Sequence, residues 1–158
     1  MREREAALTA AGGKVSNPQS VNASPDVCGP GGAHAEECLR TFPPREHGGN
    51  MDCVETQAGT TLYFPVFVEG ALFMLGDGHA AQGDGEICGT GLECSMEVTL
   101  KVDVIKGKAI NWPRFEDKDY IMVAGSTRPV IDAFRVAHVE LINWLVSDYG
   151  YDQWDALQ

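Results

Sequence analysis

Residues 92–105 alternate between apolar and polar side chains without a break, and this pattern most constrains the fold. Its apolar positions are Leu92, Cys94, Met96, Val98, Leu100, Val102 and Val104, and the polar positions between them begin at Glu93. Successive side chains of a strand point to opposite faces of a sheet, so strict alternation is typical of a strand with one buried face. The pattern predicts one long strand, with Val98, Leu100 and Val102 buried and Glu97, Thr99 and Lys101 exposed.

Other segments place strands before a helix. Residues 61–75, "TLYFPVFVEGALFML", predict two strands joined at Glu69-Gly70, and residues 119–125 predict another. After Pro129, apolar residues at helical spacing predict a helix from about 129 to 147 that buries Phe134, Leu141 and Leu145 and closes at Gly150. Strands followed by a helix indicate an α+β fold, mainly β, with an antiparallel body and one substantial C-terminal helix.

The chain has 158 residues, which fits a single domain with a sizeable core. Within it, composition separates a short helix and irregular loop (1–39), a strand-rich core with polar loops (40–125) and a helical end (126–158). The lysine-glycine-lysine step at 106–108 predicts a turn into a partner strand at 109–113.

The formal net charge of −11 argues against nucleic-acid binding and against docking on anionic membranes. No apolar run approaches the roughly 20 residues of a membrane span, and the first residues lack the apolar centre of a secretory signal. The five cysteines form no CxxC pair, which disfavours a disulfide framework and a thiolate zinc site. We therefore expect a cytoplasmic protein with free thiols and with no nucleic-acid or membrane partner.

A glycine-rich loop at residues 76–86, "GDGHAAQGDGE", carries more titratable groups than a turn requires. Asp77, His79, Asp84 and Glu86 offer oxygen and nitrogen ligands to divalent cations. A cation bound there can acidify water, and a nearby Glu can shuttle its proton. The simpler alternative is a solvated surface loop, because Asp-Gly steps are common in turns.

A second polar cluster lies at residues 43–52, "PPREHGGNMD", where His47, Asn50 and Asp52 surround Gly48-Gly49. Alone it is typical of an ordinary loop. The two clusters flank the predicted strand at 61–68, however, and ligands from several loops often build one site. We therefore expect Asp52 or His47 to lie within a few ångströms of His79 or Glu86.

Three stretches, "PPREHGGNMD", "TLYFPVFVEGALFMLGDGHAAQGDGEICGTGLE" and "VTLKVDVIKG", resemble the core of the acetamidase/formamidase family from Arg40 to Lys106. The resemblance continues less strictly through "WPRFEDKDYIMVAGSTRPVIDAFRVA". Members of that family hydrolyse short aliphatic amides to the carboxylate and ammonia. The resemblance implies a β-sandwich-like body with an appended α/β portion. Because family members are longer, the chain is expected to match a central to C-terminal piece of the family domain.

The family's motif positions map to His47, Asn50 and Asp52, and to Asp77, His79, Gln82, Asp84 and Glu86. We expect a divalent metal ion, with zinc favoured and calcium or manganese as alternatives, bound by Asp52, His79, His47 and Asp77. Glu86 is expected to act as the general base, with Asp84 and Asn50 also catalytic, and Gln82, Gly83 and Gly49 binding substrate. The expected partners are a small amide substrate and further copies of the chain in a homo-oligomer.

A second hypothesis is a truncated, non-catalytic β-sandwich module that binds a cation or a small polar ligand and acts through oligomerisation. The same loops serve both hypotheses. Ammonia release from formamide or acetamide, measured with and without a chelator, separates them.

Overall fold

The computed structural model describes residues 32–33 and 42–158. The chain divides into two compact units, Met1–Pro43 and Pro44–Gln158, and every element named below belongs to the second unit. Apart from residues 32–33, the short helix and irregular loop expected over residues 1–39 lie outside the described residues.

Three short strands form one antiparallel sheet with strand order β1-β2-β3: β1 is Thr61–Tyr63, β2 is Arg114–Glu116 and β3 is Ile121–Val123. In the central strand Phe115 lies between Leu62 of β1 and Met122 of β3, and it is only 1% exposed. An aromatic side chain that has a neighbour on each side is well suited to the centre of a small sheet. The described residues form this single sheet, so a β-sandwich is not confirmed.

Two helices follow the sheet: α1 is Val130–Tyr149 and α2 is Gln153–Leu157. Helix α1 ends at Gly150, whose φ of 74° is left-handed and whose N–H donates to the Leu145 carbonyl. Glycine adopts this conformation at little cost, which explains the sharp stop. Helix α1 contacts β3 and α2. The predicted antiparallel sheet and C-terminal helix are therefore confirmed.

The buried face of α1 differs from the predicted one. Phe134 is 57% exposed, and Leu141 and Leu145 are only half-buried. The buried residues are Glu140 and Trp144, four positions apart on one side of the helix. The prediction followed the apolar stripe, whereas an ion pair between Glu140 and Arg114 of β2 turns a different side of the helix toward the sheet.

We expect Phe134→Ala to lower the free energy of unfolding by less than about 1 kcal/mol, because exposed side chains rarely contribute more. The Phe134 ring stacks on His138, with ring centroids 3.9 Å apart, and packs into no core. Urea melts of the variant, with Val130→Ala as a second exposed control, measure the loss. A cost of about 3–5 kcal/mol, typical of a buried Phe, would contradict the observed orientation of α1.

The strand predicted over residues 92–105 is wrong. Within this segment only Glu93 forms a β-bridge, to His79. Val98, Leu100 and Val102 are 46%, 50% and 71% exposed, and the Cys94 thiol is exposed as well. Alternation specifies two faces but not a hydrogen-bonding partner, and beyond Cys94 no segment in the described ranges pairs with this backbone.

Two neighbouring strand predictions also fail, although their turns form. The turn at Glu69-Gly70 is present, with Ala71 N–H donating to the Val68 carbonyl (3.1 Å), but residues 71–75 form no strand. The turn at Lys106-Gly107 precedes no strand at 109–113, and β2 begins only at Arg114. Turn residues act locally, whereas a strand also requires a neighbour.

Within the described residues, no helix is both long and apolar enough to cross a membrane.

Candidate active site

The glycine-rich loop is held by the segment that follows it. The backbone N–H groups of Ala80, Leu92 and Cys94 donate to the carbonyls of Leu92, Ala81 and Gly78 at 2.8, 2.8 and 3.0 Å, respectively. This short antiparallel contact places the side chain of Glu93 beside that of His79. The loop then ends in a 3-10 turn, Asp84–Glu86. Two segments thus present their carboxylates to one imidazole.

The imidazole of His79 lies at the centre of the site and is 9% exposed. Its Nδ1 is 2.7 Å from Gln82 Oε1. Its Nε2 lies 3.0 Å from Glu93 Oε2, 3.3 Å from Asp77 Oδ1 and 3.7 Å from Glu86 Oε1. These are ion-pair distances, yet none has hydrogen-bond geometry, and buried Nε2 has no hydrogen-bond partner among the described residues. A buried polar atom of this kind is well suited to a ligand.

The surroundings of His79 favour its charged form. The hydrogen bond with Gln82 raises the pKa of His79, burial opposes this, and the negative charges of Glu93, Asp77 and Glu86 raise it further. Without a cation, therefore, the site attracts a proton to the ring.

The two polar clusters meet at Asp52. Gln82 Nε2 donates to the Asp52 carbonyl oxygen at 2.8 Å, which joins the loop at 76–86 to the segment at 43–52. Burial raises the pKa of the Asp52 carboxyl, and the charge of Glu86 and a hydrogen bond with it raise that pKa further. Asp77 adds to the repulsion and His79 reduces it. The carboxylates of Asp52 and Glu86 thus influence each other, as expected for two loops that build one site.

His47 belongs to a different part of the first cluster. Its Nδ1 accepts a hydrogen bond from Gly49 N–H at 2.9 Å, and burial lowers the pKa of its ring. The charges that influence this pKa come from Glu46 and Arg45 in the same segment. The structure does not bring His47 into the group around His79.

Among the described residues, six that are not glycine have a positive φ; four of them are predicted site residues, and the other two are Ala71 and Leu72, just after the turn at Glu69-Gly70. Asn50, Asp52, Asp77 and Glu86 have φ values of 47°, 54°, 63° and 45°, in the left-handed region. This conformation costs a non-glycine residue about 1–2 kcal/mol, and such strain clusters at functional sites. The strain supports a functional interpretation of both clusters over ordinary turns.

The other predicted residues flank this centre. Asp84 is exposed at the start of the 3-10 turn, and Gly83 precedes it in an extended conformation. The structure adds Glu93, which the alternating pattern assigned to a solvent-facing position. Gly91 allows this arrangement, because a Cβ there would lie 2.7 Å from the His79 ring. Only the bridge between His79 and Glu93 identifies this carboxylate, and spacing along the sequence does not.

The thiol of Cys53, next to Asp52, is not poised for nucleophilic attack. Burial and a hydrogen bond from its Sγ to Glu55 Oε2 (2.9 Å) raise the pKa of Cys53 to about 12. Since the thiolate is the reactive form, this cysteine stays protonated and inert at neutral pH.

The donor atoms nearest His79 can hold a cation. One ligand atom each from Asp77, His79 and Glu93 lies within 4.8 Å of the others, a grouping that the described residues show only here. Zinc binds imidazole nitrogen and carboxylate oxygen at about 2.0–2.2 Å, so its ligand atoms lie a few ångströms apart. The orphaned Nε2 and this mixed nitrogen and oxygen set fit such an ion.

Comparison with known proteins agrees with the motifs. The acetamidase/formamidase family model matches residues 1–156. The chain is 48% identical over 77 residues to an acetamidase of Mycolicibacterium smegmatis, covering 48% of the chain and 19% of that protein. It is 46% identical over 74 residues to a formamidase of Methylophilus methylotrophus, covering 46% and 18%.

Two solved structures are similar as well. An acetamidase from Yersinia enterocolitica superposes with a TM-score of 0.72 at 48% identity, over 75% of this chain and 36% of that one. A predicted acetamidase/formamidase from Thermoanaerobacter tengcongensis gives 0.66 at 37% identity, over 69% and 36%. The chain thus spans little more than a third of the solved relatives. With the family model matching nearly every residue, the chain belongs to the acetamidase/formamidase family.

Proposed function

We propose that the protein hydrolyses short aliphatic amides such as formamide and acetamide. The observation that carries this proposal is the buried His79 Nε2, which has no hydrogen-bond partner among the described residues and is flanked by Asp77, Glu86 and Glu93. The names of the relatives support the same activity: an acetamidase and a formamidase share 48% and 46% identity with the aligned segments.

A divalent metal ion is part of the proposal, with zinc favoured and calcium or manganese as alternatives. Asp77, His79 and Glu93 would hold it, with Asp52 as a further donor from the first cluster. His47 was also expected to be a ligand, but its Nδ1 already accepts from Gly49, so we assign its ring to hydrogen bonding instead. A bound cation would polarise the amide carbonyl and lower the pKa of a water molecule.

Glu86 carries out proton transfer in this mechanism. Its carboxylate takes a proton from the attacking water as the oxygen bonds to the amide carbon, and it then delivers that proton to the departing nitrogen. The C–N bond breaks, ammonia and the carboxylic acid are released, and the acid then gives its proton to water and becomes the carboxylate. The nitrogen must be protonated because an amide anion is a very poor leaving group. The carboxyl of Asp52, whose pKa burial and the charge of Glu86 raise, helps to keep this proton within the site.

The remaining predicted residues surround the substrate in this proposal. Asn50 and Asp84 assist catalysis, and Gly49 and Gly83 provide backbone close to the amide. The Gly49 N–H already donates to His47 Nδ1, so the Gly83 N–H is the proposed donor to a developing oxyanion, an interaction worth several kcal/mol in acyl transfer.

Ammonia release tests the proposal directly. The chain is incubated with formamide or acetamide, with and without a chelator, and its metal content is measured by elemental analysis. We expect ammonia release, with loss of both metal and turnover in the chelator. A protein that binds a cation but releases no ammonia would instead support the non-catalytic binding module. Turnover that a chelator cannot reduce would contradict the metal.

The same proposal includes the β-sandwich-like body that the family resemblance implies, the cytoplasmic location that the free cysteines indicate, and a homo-oligomer. Light scattering on the purified protein measures the oligomer. A monomer at all concentrations would contradict it.

A further inference from the structure

Both polar ends of the Gln82 amide have partners from different parts of the site. Its Oε1 lies 2.7 Å from His79 Nδ1, and its Nε2 lies 2.8 Å from the Asp52 carbonyl oxygen. The oxygen and nitrogen of an amide side chain have nearly the same size, so their hydrogen-bond partners identify which is which. A carbonyl oxygen only accepts hydrogen bonds, so the group that faces Asp52 must be the NH₂.

This orientation determines the protonation of the His79 ring. With its NH₂ facing Asp52, Gln82 presents an oxygen to Nδ1, and that oxygen also only accepts. Nδ1 must therefore carry a hydrogen. In the neutral ring the lone pair is then on Nε2, the buried atom that faces Glu93, Asp77 and Glu86.

We propose that Gln82 is a positioning residue, which holds His79 in the Nδ1–H tautomer and directs the lone pair of Nε2 into the carboxylate group. Gln82 was expected to bind substrate, but both ends of its amide already have partners within the protein. Through Asp52 it also couples the ring to the first polar cluster, so the segment at 43–52 helps to orient a ring on the loop at 76–86.

His47 provides an internal contrast. Its Nδ1 accepts from the Gly49 backbone N–H, so in its neutral ring the hydrogen lies on Nε2. His138 is a second reference, since its Nδ1 lies 2.9 Å from the Phe134 carbonyl oxygen and must be the donor. One protein thus holds imidazoles in both tautomers, each set by a neighbouring group of known polarity.

Long-range ¹H–¹⁵N NMR of the histidine rings tests the proposal. The protein is dialysed against a chelator and studied at alkaline pH, where the rings are neutral and no bound cation sets the tautomer. We expect the Nδ1–H pattern for His79 and His138 and the Nε2–H pattern for His47. The His79 signals are assigned by their absence in His79→Gln. A wild-type His79 in the Nε2–H form would overturn the proposal.

Two substitutions of Gln82 separate positioning from loop stability. Gln82→Glu keeps an oxygen acceptor for Nδ1–H, whereas Gln82→Met keeps the length and removes the acceptor. We expect the Nδ1–H pattern to persist in the Glu variant and to be lost in the Met variant. Gln57→Met, at an exposed position in a turn, should leave all rings unchanged. An unaltered His79 tautomer in Gln82→Met would refute the positioning role, because a purely structural role does not require a particular ring proton.

A kinetic measurement extends this test and rests on the proposed amide hydrolysis, whereas the tautomer measurement does not. Partners that orient a metal-binding histidine typically contribute about 10–100-fold to metal affinity or activity. We expect kcat for formamide to fall by that factor in Gln82→Met, with KM little changed, because the residue does not touch substrate. A rise in KM at constant kcat would favour direct substrate binding by Gln82. Absence of turnover in the wild type would contradict the proposed function and leave the NMR result to decide the positioning role.

Discussion

Glu86→Gln should lower kcat for amide hydrolysis by about 10²–10⁴-fold, the usual contribution of a general base. Gln has nearly the shape of Glu but accepts no proton at neutral pH, so the attacking water and the departing nitrogen both lose their proton carrier. The side chain is 10% exposed and lies 3.7 Å from His79 Nε2, so bulk water replaces it poorly. Steady-state ammonia release measures the loss.

Two further variants make this result specific. Glu97→Gln removes an exposed carboxylate from the segment at 92–105 and should leave kcat unchanged. His79→Ala should lose the bound metal, whereas Glu86→Gln should retain it, as measured by elemental analysis. If Glu86→Gln lost the metal and His79→Ala kept it, the two assigned roles would be reversed.

Arg114→Met should lower the free energy of unfolding by about 3–5 kcal/mol, the cost of breaking a buried ion pair from one side. Arg114 Nε and Nη2 donate to Glu140 Oε1 at 2.9 and 2.6 Å, and Asn111 Nδ2 donates to Oε2 at 3.3 Å. The guanidinium also lies 5.0 Å from the centre of the Trp144 ring. Removing the cation leaves the Glu140 carboxylate buried between β2 and α1. Urea unfolding followed by circular dichroism measures the cost.

A double variant separates the unpaired charge from lost packing. Arg114→Met combined with Glu140→Leu removes both charges and should recover most of the loss, since a buried pair can often be replaced by apolar residues of similar size. Arg135→Met breaks an exposed pair with Asp132 and should cost at most about 1 kcal/mol. A loss below that value in Arg114→Met would show that the carboxylate is solvated or protonated in the folded protein.

The parts of the fold that local sequence determines were predicted well. Helix α1 was found from apolar spacing, and its end from Gly150, because both signals act within a few residues. The turns at Glu69-Gly70 and Lys106-Gly107 formed for the same reason. The strand over 92–105 was not found, since its alternation describes side-chain faces while strand formation depends on a distant backbone partner. The buried face of α1 was missed because Glu140, a charged residue, is stabilised there by Arg114 from another element.

The site shows the same division. Residue chemistry pointed to His79, Asp77, Asp52 and Glu86. In the structure the carboxylates of Asp77 and Glu86 lie beside the His79 imidazole. Asp52 joins them through the hydrogen bond from Gln82 and the charge of Glu86. The Glu93 side chain is exposed, as the alternation predicts, but its contact with His79 was missed, because alternation does not show which side chain lies beside it. Only the backbone contact that sets Glu93 beside His79 makes it part of the group. The orientation of the Gln82 amide could not be predicted from the sequence, because it depends on the two partners that the fold brings to it.

The ion pair between Arg114 and Glu140 has a consequence for how this family can diverge. Either single replacement passes through a chain that has lost several kcal/mol, a large share of the 5–15 kcal/mol that typically holds a domain together. Replacing both is far less harmful, yet it requires two changes in one lineage. Positions 114 and 140 should therefore change together or not at all, and a relative without the arginine should also lack the acid. Aligned family sequences would reveal this as covariation between two positions 26 residues apart, one in a strand and one in a helix.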